Sequence, residues 1–385
     1  DLREVIVIGK DPAPTGTIAF RQLVSGKSED LTKVDLVPTD DAGMLYTSGT
    51  TSLPKGVLIT HANYIYTGEV VSRVMRLQQT DRHLVVLPLY HANAQYYLFM
   101  SALVTGASVA LMPRFSASRF IEQAREHEAT VTSLFAAPIR MILAQSRGKQ
   151  DTDHNLRLAI FAQNVTRAQL DEWEERFRIP LLQIYGMTET AGQPVANPFD
   201  LPRDNMMMGM VTLGYECKVV DDNGDEVPVG TSGQLLVSGR PAWTIMKGYF
   251  KNPQATESTI RDGWLWTGDI VERREDGFLR FVDRAKDIIK RAGENVAAGE
   301  VEAVIKLHPG VVDTAVIGVP DPMRDESIKA FVILDNKVVV SEQEIIDFCQ
   351  ERLSKFRVPE FVEFRDEFPR TSVGKIQKHV LRLEQ

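Results

Sequence analysis

The chain has 385 residues, of which 43% are hydrophobic and 25% charged, so it is long enough for more than one domain and has the composition of a soluble globular protein. Its formal net charge of −8 argues against nonspecific nucleic-acid binding, which requires clustered lysine and arginine. The presence of only two cysteines excludes a disulfide scaffold and favours a reducing, cytoplasmic compartment. No apolar run has the length of a membrane span, and the first residues do not resemble a signal peptide.

The opening residues, DLREVIVIGKD, have the pattern of a strand that is already under way. Strands and helices then alternate from Met44 to Ile184. Short apolar runs predict strands at Leu84–Pro88, Ala107–Met112, Val131–Phe135 and Pro180–Tyr185. Such alternation predicts a parallel sheet covered by helices, with ligand-binding loops at the carboxyl ends of the strands.

Three amphipathic helices are predicted between these strands. One begins at Ser116, one follows Val131–Phe135, and one begins with a capping box formed by Thr166 and Gln169. Their apolar positions, including the aromatic ones, are interpreted as core.

The predicted secondary structure changes twice in the second half of the chain. Residues 209–282 combine short strands with turn signals and predict a mainly β subdomain within a large domain over residues 1–285. The charged segment 283–287 is interpreted as a linker, and residues 286–385 as a small α+β domain. Its predicted elements are helices at Glu300–Leu307 and after Ser341, and strands at Asp313–Val319 and Lys329–Leu334.

The segment LYTSGTTSLPKGV, Leu45–Val57, has the composition of a loop that holds polyphosphate. Glycine lets backbone N–H groups approach an anion, the hydroxyls add donors, and Lys55 supplies a positive charge. The spacing of a Walker A loop is absent. From this segment alone, a polar surface turn is an equally good interpretation.

Three later segments carry further candidate groups. Glu189 follows a buried strand in YGMTET and is suited to hold Mg²⁺ against phosphate oxygens. Asp269 in GWLWTGD, together with Arg284, has the chemistry to bind ribose hydroxyls. Lys375 follows a glycine in the segment PRTSVGKI. Taken singly, each has a plainer interpretation: a solvated glutamate, a turn-stabilising aspartate and a surface lysine.

Taken together, these segments resemble a known family. YTSGTTxxPKG, YGMTET, GWLWTGD, DRxKDxIKRxGENV and PRTxxGKI occur in the order typical of the adenylate-forming superfamily, and the resemblance covers essentially the whole chain. KGYFKNPQAT, IKRAGENV and RDESIKAFVIL are similar to the carnitine and crotonobetaine-CoA ligase branch. The resemblance implies an α/β fold: a large domain with helix-covered sheets and a β subdomain, and a small mobile α+β C-terminal domain.

The implied activity is that of an ATP-dependent carboxylic acid:CoA ligase, with fatty acid metabolism as the broad setting. ATP and the acid would give acyl-AMP and pyrophosphate, and CoA would then capture the acyl group and release AMP. ATP, Mg²⁺ and CoA are therefore the expected cofactors and co-substrates, and the partners are small molecules. Two alternatives stay open: an adenylating enzyme that loads a carrier-protein thiol, and a non-catalytic nucleotide-binding relic. The oligomeric state is open, with a homodimer as one option.

The resemblance also implies roles for individual residues in adenylation. The expected contacts of the β- and γ-phosphates are Thr47, Ser48, Gly49, Thr50, Thr51 and Lys55. Tyr185, Gly186 and Met187 would bind the nucleotide, Thr188 would contact the α-phosphate and Glu189 would ligate Mg²⁺. Asp269 and Arg284 would bind the ribose. Lys375 would bridge the acyl carboxylate and the α-phosphate.

Further implied roles concern the second half-reaction. Lys286 matches the hinge about which the C-terminal domain would rotate after adenylation. The expected CoA contacts are Gly293, Glu294, Asn295, Lys355 and Arg357. His91 matches a position beside the carboxylate, although a hydrogen-bonded core histidine is nearly as good an interpretation. Tyr96, Tyr97 and Phe99 either line an acyl pocket or serve ordinary packing.

The chain departs from the family pattern in three places. Ser52 replaces a glycine of the phosphate loop, and the segment 161–165, FAQNV, replaces a GGA-type segment that lines the adenine and acyl pockets. The family also carries a further N-terminal region of roughly a hundred residues, the size of a small domain, which this sequence is expected to lack.

Overall fold

The computed structural model describes residues 4–9, 12–27, 33–47, 54–163, 165–200, 202–291, 294–335, 338–370, 374 and 376–384. The chain divides into two compact units, Asp1–Val37 and Pro38–Gln385. In the first unit, β1 (Ile6–Val7) pairs in parallel with β2 (Ile18–Ala19), and α1 (Phe20–Val24) follows. The strand expected at the start is therefore present, although it is short.

The second unit contains the remaining elements. Its strands are β3 (Asp41–Thr47), β4 (Lys55–Thr60), β5 (Arg82–Val85), β6 (Ser108–Leu111), β7 (Val131–Phe135), β8 (Leu158–Ala162), β9 (Leu181–Met187), β10 (Gly192–Ala196), β11 (Met210–Val211), β12 (Glu216–Val220), β13 (Ser232–Ser238), β14 (Gly248–Tyr249), β15 (Ile260–Arg261), β16 (Trp264–Arg273), β17 (Leu279–Arg284), β18 (Ile288–Arg291), β19 (Glu294–Ala297), β20 (Val311–Asp321), β21 (Asp325–Leu334) and β22 (Phe361–Phe364). Its α-helices are α2 (His61–Met75), α3 (Ser101–Thr105), α4 (Phe120–Glu126), α5 (Ala136–Leu143), α6 (Arg167–Phe177), α7 (Pro253–Thr259), α8 (Ala298–Ile305), α9 (Glu342–Gln350) and α10 (Lys378–Leu383). A π-helix covers Asn93–Met100, and 3₁₀ turns cover Ala285–Asp287 and Lys355–Arg357.

The central sheet has seven strands in the order β11-β10-β9-β8-β7-β5-β6. The strands from β5 to β9 pair in parallel, as the alternation of strands and helices predicts. At one edge of this sheet, β10 and β11, which follow the segment predicted to be parallel, run antiparallel. A tight turn follows β9, so the chain returns beside it in the opposite direction.

Local signals locate several of these elements. The capping box of α6 is confirmed, since Gln169 N donates to Thr166 Oγ1 at 3.2 Å and Thr166 N donates to Gln169 Oε1 at 3.0 Å. The helix expected to begin at Ser116 begins at Phe120 instead, because a turn comes first. Helix α2 also has a capping box, formed by Thr60 and Asn63, and it was not predicted from the sequence.

Apolar side chains cover both faces of the central sheet. One cluster includes Leu134, Phe161 and Trp173, and the other includes Ile59 and Ile184. Both faces of the sheet are therefore covered by apolar side chains, and polar side chains lie at the carboxyl ends of the strands.

The rest of the second unit is built on smaller sheets. Strands β14-β4-β3 form one, and β12-β13-β16-β15 form another, in which β17 also pairs with β16. The C-terminal sheet has the order β19-β18-β21-β20, with β22 beside β21. The helix expected after Ser341 is α9, which Ser341 caps, since Glu344 N donates to Ser341 Oγ at 3.2 Å. Cys349 of this helix is buried. In the part of the chain that the structure describes, no helix is both long and apolar enough to cross a membrane.

The buried His83 of β5 makes stability depend on pH. The side chain is fully buried, and neither ring nitrogen has a hydrogen-bond partner among the described residues. Burial lowers the His83 pKa from 6.5 to about 4. Because the unfolded chain binds this proton first, the stabilising effect of a neutral His83 is complete above pH ~6.5 and is lost as the pH falls towards ~4. The loss amounts to about 3 kcal/mol over that interval.

The check is urea unfolding of the wild type and of His83→Phe at pH 7 and pH 4.5. We expect a flatter pH dependence for the variant, because it has no proton to bind at this position. Equal losses of the free energy of unfolding in both proteins would exclude His83 as the source.

Candidate active site

The end of β9 and the turn after it form the centre of the site. Gly186 passes so close to the Gly192 carbonyl and the Tyr97 hydroxyl that any Cβ there would collide with both. Thr188 occupies the turn, where its carbonyl accepts a hydrogen bond from the Tyr96 hydroxyl at 3.3 Å. This close packing holds the segment from Tyr185 to Glu189 in one conformation.

Glu189 is buried and is held by hydroxyl groups. The Tyr249 hydroxyl donates to Glu189 Oε1 at 3.0 Å, and Thr47 Oγ1 donates to the same oxygen at 3.4 Å. Burial and then the charge of Glu189 raise the Tyr249 pKa, so this hydroxyl stays protonated and remains a donor.

The predicted phosphate loop begins and ends beside Glu189. Strands β3 and β4 pair Thr47 directly with Lys55, and the Lys55 ammonium lies 4.8 Å from the centre of the Tyr249 ring. The loop positions Ser48, Gly49, Thr50, Thr51 and Ser52 lie outside the described residues. The two described ends therefore bring a hydroxyl and a cation to the carboxylate predicted to hold Mg²⁺.

The chemistry of this group fits magnesium. Mg²⁺ is usually held by one or two carboxylates together with substrate phosphates and water. Both hydrogen bonds that the described residues donate to the Glu189 carboxylate use Oε1, and among those residues Oε2 is available to a cation. Among the described residues, no group of three or more histidine, cysteine or acidic side chains could hold a metal by itself.

A second polar group surrounds Asp269. The Tyr185 hydroxyl donates to Asp269 Oδ2 at 2.5 Å, and Arg284 Nε lies 2.6 Å from Asp269 Oδ1. Strands β16 and β17 pair Asp269 with Arg284, which fixes this geometry. Tyr185 and Glu189 belong to the same segment, so the proposed ribose and magnesium groups meet at the end of β9.

Electrostatics keep this second group in one protonation state. Burial and then the Asp269 charge raise the Tyr185 pKa well above its usual value. Burial acts to lower the Arg284 pKa, but the combined attraction of Asp269 and the other acidic groups nearby outweighs it, and the Arg284 pKa is raised. Tyr185 therefore stays neutral and Arg284 stays charged.

His91 lies at the carboxyl edge near β7. Its Nδ1 accepts a hydrogen bond from the Asn93 backbone at 3.1 Å, which places the proton of a neutral ring on Nε2. The imidazole meets the Phe135 ring edge to face at 5.2 Å. Phe135 is the last residue of β7 and directly precedes α5. The packing of α5 therefore influences the position of Phe135 and, through it, that of His91.

Gly374, the residue before Lys375, lies beside α5. Residues 370 and 376 form a β-bridge that closes the loop, and a Cβ built on Gly374 would lie 3.7 Å from the Cβ of Ala137. Lys375 itself is outside the described residues. Gly374, the residue before Lys375, therefore lies beside α5, and α5 begins directly after Phe135, the residue that contacts His91.

The predicted hinge and CoA residues all lie in the C-terminal part. The Lys286 side chain is exposed, and its carbonyl accepts a hydrogen bond from Arg382 at 3.3 Å. Glu294 and Asn295 are exposed in β19, and Gly293 is outside the described residues. Lys355 is exposed, whereas Arg357 pairs with Glu300 at 3.0 Å. A CoA phosphate would therefore compete with the Glu300 carboxylate for the Arg357 guanidinium.

Two functional candidates escaped the sequence analysis. Tyr249 contacts both Glu189 and Lys55, and it lies in KGYFKNPQAT, which was used only as a sign of a family branch. Gln163 has φ +78°, the backbone conformation that glycine favours, and its Nε2 is buried without a hydrogen-bond partner among the described residues. The replaced glycine segment was the available signal for Gln163.

The aromatic residues after His91 separate into two groups. Tyr96 and Tyr97 are buried, and their hydroxyls donate to the carbonyls of Thr188 and Gly192 at 3.3 and 3.4 Å, which supports ordinary packing. Phe99 instead lines a cavity of about 270 Å³ with Tyr64, Leu89, Gln95 and Met100.

Comparison with known proteins agrees with this geometry. Residues 1–250 match the AMP-binding enzyme family, and residues 300–375 match the AMP-binding enzyme C-terminal domain. A crotonobetaine/carnitine–CoA ligase of Salmonella typhimurium is 38% identical over 387 residues, which cover 99% of this chain and 74% of that protein.

Two solved structures share the fold. The anthranilate CoA ligase AuaEII in complex with anthranoyl-AMP is 28% identical, with a TM-score of 0.87 over 100% of this chain and 74% of that one. The o-succinylbenzoate CoA synthetase MenE of Bacillus subtilis, with ATP and magnesium, is 29% identical, with a TM-score of 0.81 over 92% and 73%. With family matches in both halves and the expected motifs converging at the end of β9, this chain belongs to the AMP-binding enzyme family.

Proposed function

We propose that this chain is an ATP-dependent carboxylic acid:CoA ligase that works through an acyl-adenylate. The observation that carries the proposal is the convergence of two polar groups on one short segment. Tyr185 joins the segment to Asp269 and Arg284, and Glu189 joins it to Thr47 and Tyr249. One ATP molecule, with its ribose at the first group and its phosphates at the second, would use both.

In the first half-reaction a carboxylate oxygen attacks the α-phosphorus, and the bond to pyrophosphate breaks. Magnesium, when bound, neutralises phosphate charge, and Glu189 is the residue proposed to hold it. Thr47 and Lys55 donate to the terminal phosphates from the two ends of the phosphate loop. Thr188 contacts the α-phosphate, and Lys375 stabilises the charge that develops there.

In the second half-reaction the CoA thiol loses its proton and attacks the carbonyl carbon. AMP leaves as a good leaving group, and the thioester forms. The C-terminal domain, residues 286–385, is proposed to turn about Lys286 between the two steps, which brings Glu294 and Asn295 towards the acyl-adenylate. Lys355 and Arg357 are proposed to contact the phosphates of CoA.

The first acids to test are those in the names of similar proteins, because 38% identity over nearly the whole chain supports a related substrate. A cytoplasmic location and the oligomeric state remain predictions from the sequence.

The decisive assay measures pyrophosphate and thioester with ATP, Mg²⁺, CoA and a panel of crotonobetaine, carnitine, anthranilate, o-succinylbenzoate and short fatty acids. We expect pyrophosphate release and acyl-CoA with at least one acid. Pyrophosphate without any CoA-dependent product would favour an enzyme that loads a carrier protein. ATP binding with no pyrophosphate from any acid would contradict the proposal.

Asp269→Asn should weaken AMP binding by about 10- to 100-fold, because it removes the charge that holds Arg284 and accepts the ribose hydroxyls. Calorimetric titration with AMP provides the measurement. Asp276→Asn is the matched control, since Asp276 also pairs with an arginine, Arg274, but does so at the exposed surface. Equal affinities for the wild type and Asp269→Asn would remove Asp269 from the nucleotide site.

A further inference from the structure

We propose that Asp313 is a positioning residue, which acts through Arg370 to hold Gly374, the residue before Lys375, against α5 in the arrangement that forms the acyl-adenylate. The inference rests on the proposed function for its consequence in catalysis. Its structural content, the contacts that lead from Asp313 through Arg370 to Gly374 beside Ala137, stands on the described residues alone.

Asp313 is shared by two cations of its own domain. Lys306 Nζ lies 2.9 Å from Oδ1, and Arg370 Nη2 lies 2.5 Å from Oδ2. The Thr314 backbone also donates to Oδ1 at 3.0 Å. The carboxylate is only 16% exposed, so these contacts are partly shielded from solvent.

Arg370 connects this carboxylate to the lysine loop. While Nη2 binds Asp313, Nη1 donates to the Gly374 carbonyl at 3.0 Å. Gly374 immediately precedes Lys375 in the chain. Fixing the guanidinium with Asp313 therefore fixes the carbonyl next to the predicted catalytic lysine.

The large domain meets this cluster with one face of α5. A Cβ built on Gly374 would lie 3.7 Å from the Cβ of Ala137, and the charges of Asp313 and Arg370 act on Arg140, one turn later in the same helix. Burial lowers the Arg140 pKa, attraction to Asp313 opposes that change, and repulsion from Arg370 adds to it. Arg140 is thus drawn to Asp313 and pushed away by Arg370.

This balance of charges explains why Asp313 matters for the contact between the domains. With the carboxylate present, Arg370 is paired with Asp313, and Arg140 is attracted by the same charge. Without the carboxylate, Arg140 experiences the repulsion of Arg370 with no compensating attraction from Asp313, and the contact between the domains becomes less favourable. A few partly exposed ion pairs suit a contact that must break and form again in each catalytic cycle.

The direct test uses a cysteine pair that reports the closed arrangement and needs no substrate. In Ala137→Cys/Gly374→Cys the Cβ atoms would be 3.7 Å apart, which lies within the usual spacing in disulfides. Adding Asp313→Asn should slow disulfide formation by about tenfold. Asparagine keeps the side-chain shape and the acceptor for Thr314.

The matched control is Glu363→Gln. Glu363 also binds two cations of the C-terminal domain, Lys329 at 2.8 Å and Arg365 at 2.5 Å, and it belongs to β22. We expect the control to leave the cross-linking rate unchanged. Arg140→Gln should slow cross-linking as Asp313→Asn does. Because this variant alters no residue of the C-terminal domain, its slower cross-linking would exclude misfolding of that domain as the cause.

The catalytic consequence is measured separately. Asp313→Asn should lower acid-dependent pyrophosphate release by about tenfold while sparing thioester formation from a supplied acyl-adenylate. An unchanged cross-linking rate in both Asp313→Asn and Arg140→Gln would overturn the inference even in an active enzyme. Wild-type protein that releases no pyrophosphate with any acid would instead refute the proposed function and leave the cross-linking result standing.

Discussion

Lys375→Ala is expected to lose adenylation by about 100- to 1,000-fold and to keep nearly all of its ability to convert a supplied acyl-adenylate into a thioester. Negative charge accumulates at the α-phosphate as the acid attacks and pyrophosphate departs. A lysine ammonium placed there stabilises that charge as a point charge, and water replaces it poorly in an enclosed site. The thioester step begins with this charge already dispersed, so it needs the lysine much less.

The measurement is a pair of half-reaction assays on one protein: pyrophosphate release with ATP and acid, and thioester formation with purified acyl-adenylate and CoA. Lys290→Ala is the control, because Lys290 is an exposed lysine of the same domain. Comparable losses in both half-reactions would contradict the role given to Lys375. Loss in the control as well would point to a general effect of charge in this domain.

Much of the fold follows from short-range signals. The capping residues of α6 and α9 lie where the sequence places them, because a side chain that satisfies a free backbone N–H needs only neighbours three residues away. The predicted strand Val131–Phe135 coincides with β7, since a short apolar run with no helical periodicity has few alternatives in a covered sheet.

Other features depend on contacts that no local pattern records. The return of β10 beside β9 requires the close approach of Gly186 and Gly192, which the sequence shows only as two glycines. Helix α4 starts at Phe120 rather than Ser116, because Phe120 is the residue whose burial fixes the first turn. Tertiary packing decides both.

The residues of the candidate site also divide into those that the sequence predicts and those that only the fold shows. The motifs predict roles for Glu189, Asp269 and Arg284, because these side-chain types are suited to recognise magnesium and ribose. The partners that hold them are less visible: Tyr249 reaches Glu189 from a strand 60 residues further along the chain. Aromatic residues pack in many parts of a protein, so a single tyrosine in the sequence does not predict a contact with Glu189. Only the fold shows that Tyr249 lies beside this carboxylate.

The cross-linked double variant Ala137→Cys/Gly374→Cys is expected to form acyl-adenylate and to fail in thioester synthesis. The disulfide joins α5 to the residue before Lys375 and so keeps the lysine loop against the large domain. If the C-terminal domain must turn about Lys286 to admit CoA, the oxidised protein stops after the first half-reaction. We expect one pyrophosphate per enzyme and at least a 100-fold loss of acyl-CoA formation.

Reduction of the disulfide provides the internal control, because dithiothreitol should restore thioester synthesis in the same sample. Cysteine at position 374 must adopt φ near +80°, which costs about 1–2 kcal/mol, so the reduced double variant and each single variant set the reference rates. Cys217 and Cys349 are retained in all of them. Full acyl-CoA synthesis by the oxidised protein would show that both half-reactions proceed in one arrangement of the domains, and Lys286 would then have no function as a hinge.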